Sequence, residues 1–189
     1  MKLLYSALIL LTGCSTVNPY LNTDSSAYKK ISIPLNSGTA FFVSQGTFGK
    51  ASHSEPGNEY SWDFDVPFGS DVISVEDGKV IEIWAPNKGG GCNSKYSELA
   101  HNIKIKSSDG TVAQYVHVEA IIKQNQNVKR GQVIARTANN GFLCRPQLHF
   151  GIYNSESELY RSPTRKTLPL YFEGIENGLA LEGHSYIAP

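Results

Sequence analysis

Tyr60-Ser61-Trp62-Asp63-Phe64-Asp65-Val66 alternates without a break between apolar and polar side chains. Successive side chains of an extended strand point to opposite faces, so Tyr60, Trp62, Phe64 and Val66 share one face while Ser61, Asp63 and Asp65 share the other. The apolar face belongs in a core. The opposite face carries two carboxylates, which form either a solvated surface or part of a metal site.

Outward from this strand, short runs of the same kind recur between turn residues, at 39–43, 71–75, 79–84, 102–106, 111–118 and 148–153. Asp77-Gly78, Asp109-Gly110 and Asn140-Gly141 mark turns among them. Helical periodicity is not sustained over three turns anywhere, and residues 119–124 suit only a short turn of helix. The pattern predicts an all-β domain. Its folded part is expected to begin near Ile31, because residues 15–30 are polar and without apolar periodicity, as in a tether.

The chain has 189 residues, with 17 basic and 17 acidic side chains and 40% apolar content, which suits one globular domain. Without net charge there is no long-range field to hold a polyanion, so composition gives no support for a nucleic-acid partner. Lys2 precedes an apolar run at 3–11, followed by Thr12, Gly13 and Cys14, the layout of an export signal. The run is too short to span a bilayer. Its Leu-Thr-Gly-Cys ending resembles the bacterial lipoprotein signal. That resemblance implies a signal peptide at residues 1–13, acylation of Cys14, a lipid-anchored tether over 14–30 and a folded domain over 31–189. Ser15 after the cysteine implies, by similarity to Gram-negative lipoproteins, a place in the cell envelope on the outer membrane facing the periplasm. The plainer alternative is an ordinary cleaved signal with an incidental cysteine.

If Cys14 is acylated, Cys92 and Cys144 remain as an even pair in a compartment where disulfides persist, and they are expected to bond. Two free, buried thiols are the alternative. Their spacing excludes a Cys-x-x-Cys redox pair and a cysteine zinc knuckle.

Several segments then line up in order: His53; Tyr60 through Gly69; Val72; Asp77-Gly78-Lys79-Val80; Asp109-Gly110-Thr111 leading into Tyr115-Val116-His117; Val128 through Val133; and Pro146-Gln147-Leu148-His149-Phe150. Together they resemble the zinc-dependent peptidoglycan endopeptidases of the lysostaphin, or LytM, type. The tail Thr167-Leu168-Pro169-Leu170-Tyr171-Phe172 resembles an ending seen in one branch. The resemblance implies a compact antiparallel β-sandwich or barrel-like LytM-type domain, a duplicated hybrid motif. It also implies a Zn²⁺ cofactor and peptidoglycan as substrate, cut at its peptide cross-links.

In that family zinc is held by a histidine, an aspartate and the second histidine of His-x-His, and the matching residues are His53, Asp63 and His149. Two imidazoles and one carboxylate leave the ion open and Lewis-acidic. Many members place the first ligand four residues before the aspartate, where this chain has Glu59, so Glu59 is the alternative ligand. On an extended strand it would share a face with Ser61 and Asp63. His117 matches a non-ligand histidine that helps stabilise the tetrahedral intermediate, as a donor aimed at developing negative charge. Gln147 stands where the family has the first histidine of His-x-His. An amide orients water but cannot take its proton, and loss of a general base commonly costs about 10²- to 10⁴-fold. Either another group such as Glu59 or Asp65 takes the proton, or the domain is weak or inactive. The alternative function is then an inactive LytM-like domain that binds peptidoglycan or activates a partner cell-wall hydrolase. His101 and His184 match no functional position and read as surface or structural.

Overall fold

The computed structural model describes residues 28–87, 89–154 and 166–189. The signal, Cys14 and the tether up to residue 27 lie outside them. Strands follow one another along the chain: β1 Lys29–Ile31, β2 Ala40–Gln45, β3 Trp62–Asp65, β4 Asp71–Ile73, β5 Gly78–Trp84, β6 Gly90–Gly91, β7 Asn102–Ser107, β8 Val112–Val116, β9 Val118–Ala120, β10 Asn127–Val128, β11 Val133–Thr137, β12 Gly141–Phe142, β13 Gln147–Tyr153, β14 Leu170–Phe172 and β15 Ser185–Ile187. Among the described residues helix is confined to two short 3-10 turns, Ser94–Leu99 and Glu176–Gly178, and no helix is long and apolar enough to cross a membrane.

The largest sheet among the described residues is antiparallel, in the order β10-β5-β7-β8-β13-β3-β2-β15. A second antiparallel sheet, β4-β11-β9, adds Val72, Ile134, Ala135 and Val118 to the same core. Alternation explains which residues enter it. Leu148, Phe150 and Ile152 of β13, Ile103 and Ile105 of β7, and Trp62 and Phe64 of β3 are all buried. Phe172 packs edge-on against Trp62 and Phe64, with ring centroids 5.0 and 5.8 Å apart. Each such side chain contributes about 1.5–3 kcal/mol by leaving water.

The other face of the large sheet prepares the site. Register places Asp63 opposite His149, His149 opposite Val116, Val116 opposite Asn102 and Asn102 opposite Trp84. Directly opposed residues of antiparallel strands stand side by side on one face, so these five form a row across four strand pairings.

Several local expectations are corrected. Strand β1 begins at Lys29, two residues before Ile31, and pairs in parallel with β14. The Lys29 ammonium is held by Glu76 at 2.7 Å and Asp109 at 2.5 Å, which draws the end of the expected tether onto the domain. Residues 119–124 form no helical turn: β9 pairs with β11 and Ile121 donates to the Ile134 carbonyl, so a sheet has already taken the backbone groups a helix would use. Asn140-Gly141 is not a hairpin turn, because β12 pairs in parallel with β6. The run at 111–118 is interrupted at His117. Cys92 and Cys144 are bonded, with Cα atoms 4.2 Å apart, and the bond ties the β6 segment to the loop before β13.

Candidate metal centre

Asp63 and His149 owe their meeting to sheet register, which sets His149 Nδ1 2.8 Å from Asp63 Oδ1. His53 arrives on the loop between β2 and β3. Its Nδ1 donates to the Gly46 carbonyl at 2.8 Å, so Nε2 faces the site, 3.4 Å from Asp63 Oδ1 and 3.3 Å from His149 Nδ1. A backbone carbonyl that fixes the tautomer of a histidine is the usual partner of a metal-binding imidazole. One donor atom from each of the three residues lies within 4.8 Å of the others. His53 and Asp63 are buried and His149 is half-buried. Burial alone would raise the Asp63 pKa, but hydrogen bonds to His149 and His53 outweigh it and hold the carboxyl well below the usual carboxylate range. Two imidazole nitrogens and a carboxylate oxygen, converging with one tautomer fixed, are a donor set that fits zinc.

Glu59 is placed elsewhere. The Ser61 N–H closes a turn on the Asn58 carbonyl at 3.0 Å, so β3 begins only at Trp62 and the alternation that would aim Glu59 at the site ends first. Its carboxylate instead accepts from the Gly57 N–H at 2.8 Å.

His117 sits at the break between β8 and β9 in a left-handed backbone conformation, φ 65°. Its N–H donates to the His101 carbonyl, its own carbonyl accepts from the Ala138 N–H, and its Nδ1 donates to the Asn140 carbonyl at 2.8 Å. Asn140 is itself fixed, accepting from the His101 N–H at 2.8 Å and donating to the Val118 carbonyl at 3.3 Å. Burial pushes the His117 imidazole down to about 4. The ring is therefore neutral at pH 7, and with its proton on Nδ1 the other nitrogen, Nε2, is an acceptor. His101 thus contributes its backbone to the corner that carries His117, whereas His184 is exposed.

Gln147 lies opposite Asp65 and shares a face with His149. Asp65 is engaged on both oxygens, by Ser44 Oγ at 2.5 Å and Arg145 at 3.2 Å. Neither Asp65 nor Glu59 lines the groove that leads to the three-residue cluster. That groove has a volume of about 540 Å³, and His149 and His117 share it with Trp84, Phe142, Tyr153 and Glu98. Phe142 reaches it from the segment that the disulfide secures. Sequence reasoning missed Gln45 and Asn140, both buried and both bonded to the site residues. Neither belongs to a motif that would single it out.

Fold and cluster together define a β-domain with a candidate metal centre, of which His149 faces an open groove. Residues 57–161 match peptidase family M23, and the chain belongs to that family. The matched stretch holds Asp63, His117, Gln147 and His149 and begins after His53. The chain is 33% identical over 96 residues to the glycyl-glycine endopeptidase ALE-1 of Staphylococcus capitis, which is 50% of this chain and 24% of that protein. It is 37% identical over 91 residues to the peptidoglycan DD-endopeptidase ShyB of Vibrio cholerae, 48% of this chain and 19% of that one. It therefore spans about a quarter or less of the length of these curated relatives. The solved structure of the antimicrobial peptidase lysostaphin from Staphylococcus simulans superposes with a TM-score of 0.50 at 25% identity, covering 67% of this chain and 47% of that one.

Proposed function

We propose that this chain is a zinc metalloendopeptidase that cuts the peptide cross-links of peptidoglycan, with His53, Asp63 and His149 holding the ion. The observation that carries this reading is the convergence of those three donors, one of which, His149, lines a groove together with His117. Relatives named as glycyl-glycine and peptidoglycan endopeptidases support the substrate class. When bound, zinc would supply Lewis acidity to a peptide carbonyl and to water. His117, neutral and with Nδ1 committed to Asn140, offers Nε2 to take the proton of the attacking water, a different role from the donor that resemblance implies. Gln147 holds a water by hydrogen bonding but takes no proton. Trp84 and Phe142, both partly exposed, give the substrate apolar walls.

Incubation of the purified protein with isolated peptidoglycan, with and without added zinc, tests the proposal: soluble fragments should appear only with metal. Gln147 supports a second reading, in which the domain is inactive and binds peptidoglycan or activates a cell-wall hydrolase. Zinc uptake with peptidoglycan binding but no released fragments would select it. We further propose that the protein is held on the outer membrane, facing the periplasm, by acylated Cys14. Cys14→Ser should release it into the soluble fraction without lowering its melting temperature, and a variant that stays with membranes would refute the anchor.

A further inference from the structure

Gln45 is the last residue of β2 and is buried. The register of β2 on β3 shifts between Val43 and Gln45, so that Val43 lies opposite Phe64 while Gln45, not Ser44, lies opposite Asp63. A bulge of this kind re-aims a side chain. The amide it aims has every hydrogen-bonding position filled. Oε1 accepts from the N–H groups of Ala51 at 2.8 Å and Ser52 at 2.9 Å, while Nε2 donates to Ser52 Oγ at 3.0 Å and to Asp63 Oδ2 at 2.9 Å. The orientation is unambiguous, because a flipped amide would set its NH₂ group against two backbone N–H donors. Gly49 lets the loop close over this side chain: a Cβ there would stand 2.2 Å from Gln45 Cγ.

One amide therefore touches both unlike halves of the candidate centre. It fixes Asp63 Oδ2, which turns Oδ1 toward the two imidazoles, and it seats the backbone immediately before His53. We infer that Gln45 is a positioning residue for the metal centre, setting the orientation of Asp63 and the seat of the His53 loop together. The inference rests on the zinc reading proposed above. Partners that orient metal ligands commonly change affinity by about 10- to 100-fold when removed, without being ligands themselves.

Gln45→Met keeps length and volume and removes every hydrogen bond. Three measurements on wild type and variant decide the matter: the melting temperature of the metal-free protein, the zinc dissociation constant by competition with a chromophoric chelator, and the visible absorption of the cobalt(II)-loaded protein. The expected result is a folded variant whose zinc dissociation constant rises about 10- to 100-fold and whose cobalt bands move, reporting altered ligand geometry. A folded variant with wild-type zinc affinity and wild-type cobalt bands would overturn the inference. If Gln45→Met does not fold, Gln45→Glu decides. It keeps acceptors for Ala51 and Ser52 but sets a carboxylate against Asp63, so the cobalt bands must shift, and unchanged bands would overturn the inference. Failure of wild-type protein to take up zinc or cobalt would instead overturn the zinc reading, and this inference with it.

Discussion

Asp63 and His149 reach the site on adjacent strands, while His53 and His117 reach it from chain that leaves the sheet. On the strands, ladder hydrogen bonds and the burial of Trp62, Phe64, Leu148 and Phe150 on the far face fix the two side chains together. A slip of one residue would turn Asp63 and His149 into the core and expose those apolar side chains, so core packing holds the register. Off the strands, position depends on local hydrogen bonds rather than a ladder: Gly46 to His53, Gln45 to the loop at Ala51 and Ser52, and Asn140, His101 and Ala138 to His117. Half of the site is thus guarded by many kcal/mol of packing and half by a few polar contacts.

The largest effects test whether both halves are needed. His149→Ala and His53→Ala should each abolish stoichiometric zinc binding, because two remaining ligands hold the ion poorly, and metal analysis of the purified variants will report it. Zinc retained by His53→Ala alone would break the comparison by making the loop ligand dispensable. Replacing Cys92 and Cys144 by serine should lower stability by up to about 4 kcal/mol in denaturant titration. Hydrogen exchange should rise around β6 and β12 and stay slow in β3 and β13; loss of protection in the strands first would reverse the assignment of where the site is soft.

The His117 corner makes stability depend on pH. Its pKa in the folded protein is about 4, below the ordinary value of 6.5, so as pH falls the unfolded chain takes up the proton first. Its neutral form supports folding in full above about pH 6.5, and that support drains away down to about pH 4, a loss of about 3 kcal/mol. Urea titrations of metal-free wild type and His117→Gln at pH 7.5 and 4 should differ by that amount. Equal pH slopes in the two would show that the corner admits water. Smallest on the energy scale, Gln147→His should leave zinc binding intact and, by setting a second proton acceptor in the site in addition to His117, raise cleavage about 10²-fold in a peptidoglycan turbidity assay. An unchanged rate with zinc in place would show that His117 already handles the proton alone.

The same division decides what was legible in the sequence. A period of two announced β3, β7 and β13, and with them the common face of Asp63 and Asp65. Ordered motifs supplied His53, His117 and His149, and export logic supplied the Cys92–Cys144 bond. Gln45 stayed hidden because its placement needs a bulge, and a bulge leaves no trace in alternation that short. Asn140 looked like a turn residue, and its work is done by a carbonyl every residue has. Glu59 misled because alternation was carried three residues back beyond where β3 begins. Strands β1, β11, β14 and β15 were not anticipated: none of them was read as a run of alternating residues between turn signals.

The left-handed backbone of His117 has a consequence for anyone who re-engineers this domain. Side chains with a Cβ are strained there by about 1–2 kcal/mol, and only glycine is free of that strain. Glycine there would ease the backbone but leave the buried Asn140 carbonyl without the Nδ1–H that now satisfies it, so the two terms pull this one position in opposite directions. A screen on melting temperature alone would therefore read only the balance of those two terms, and would say nothing of the chemistry proposed for the imidazole.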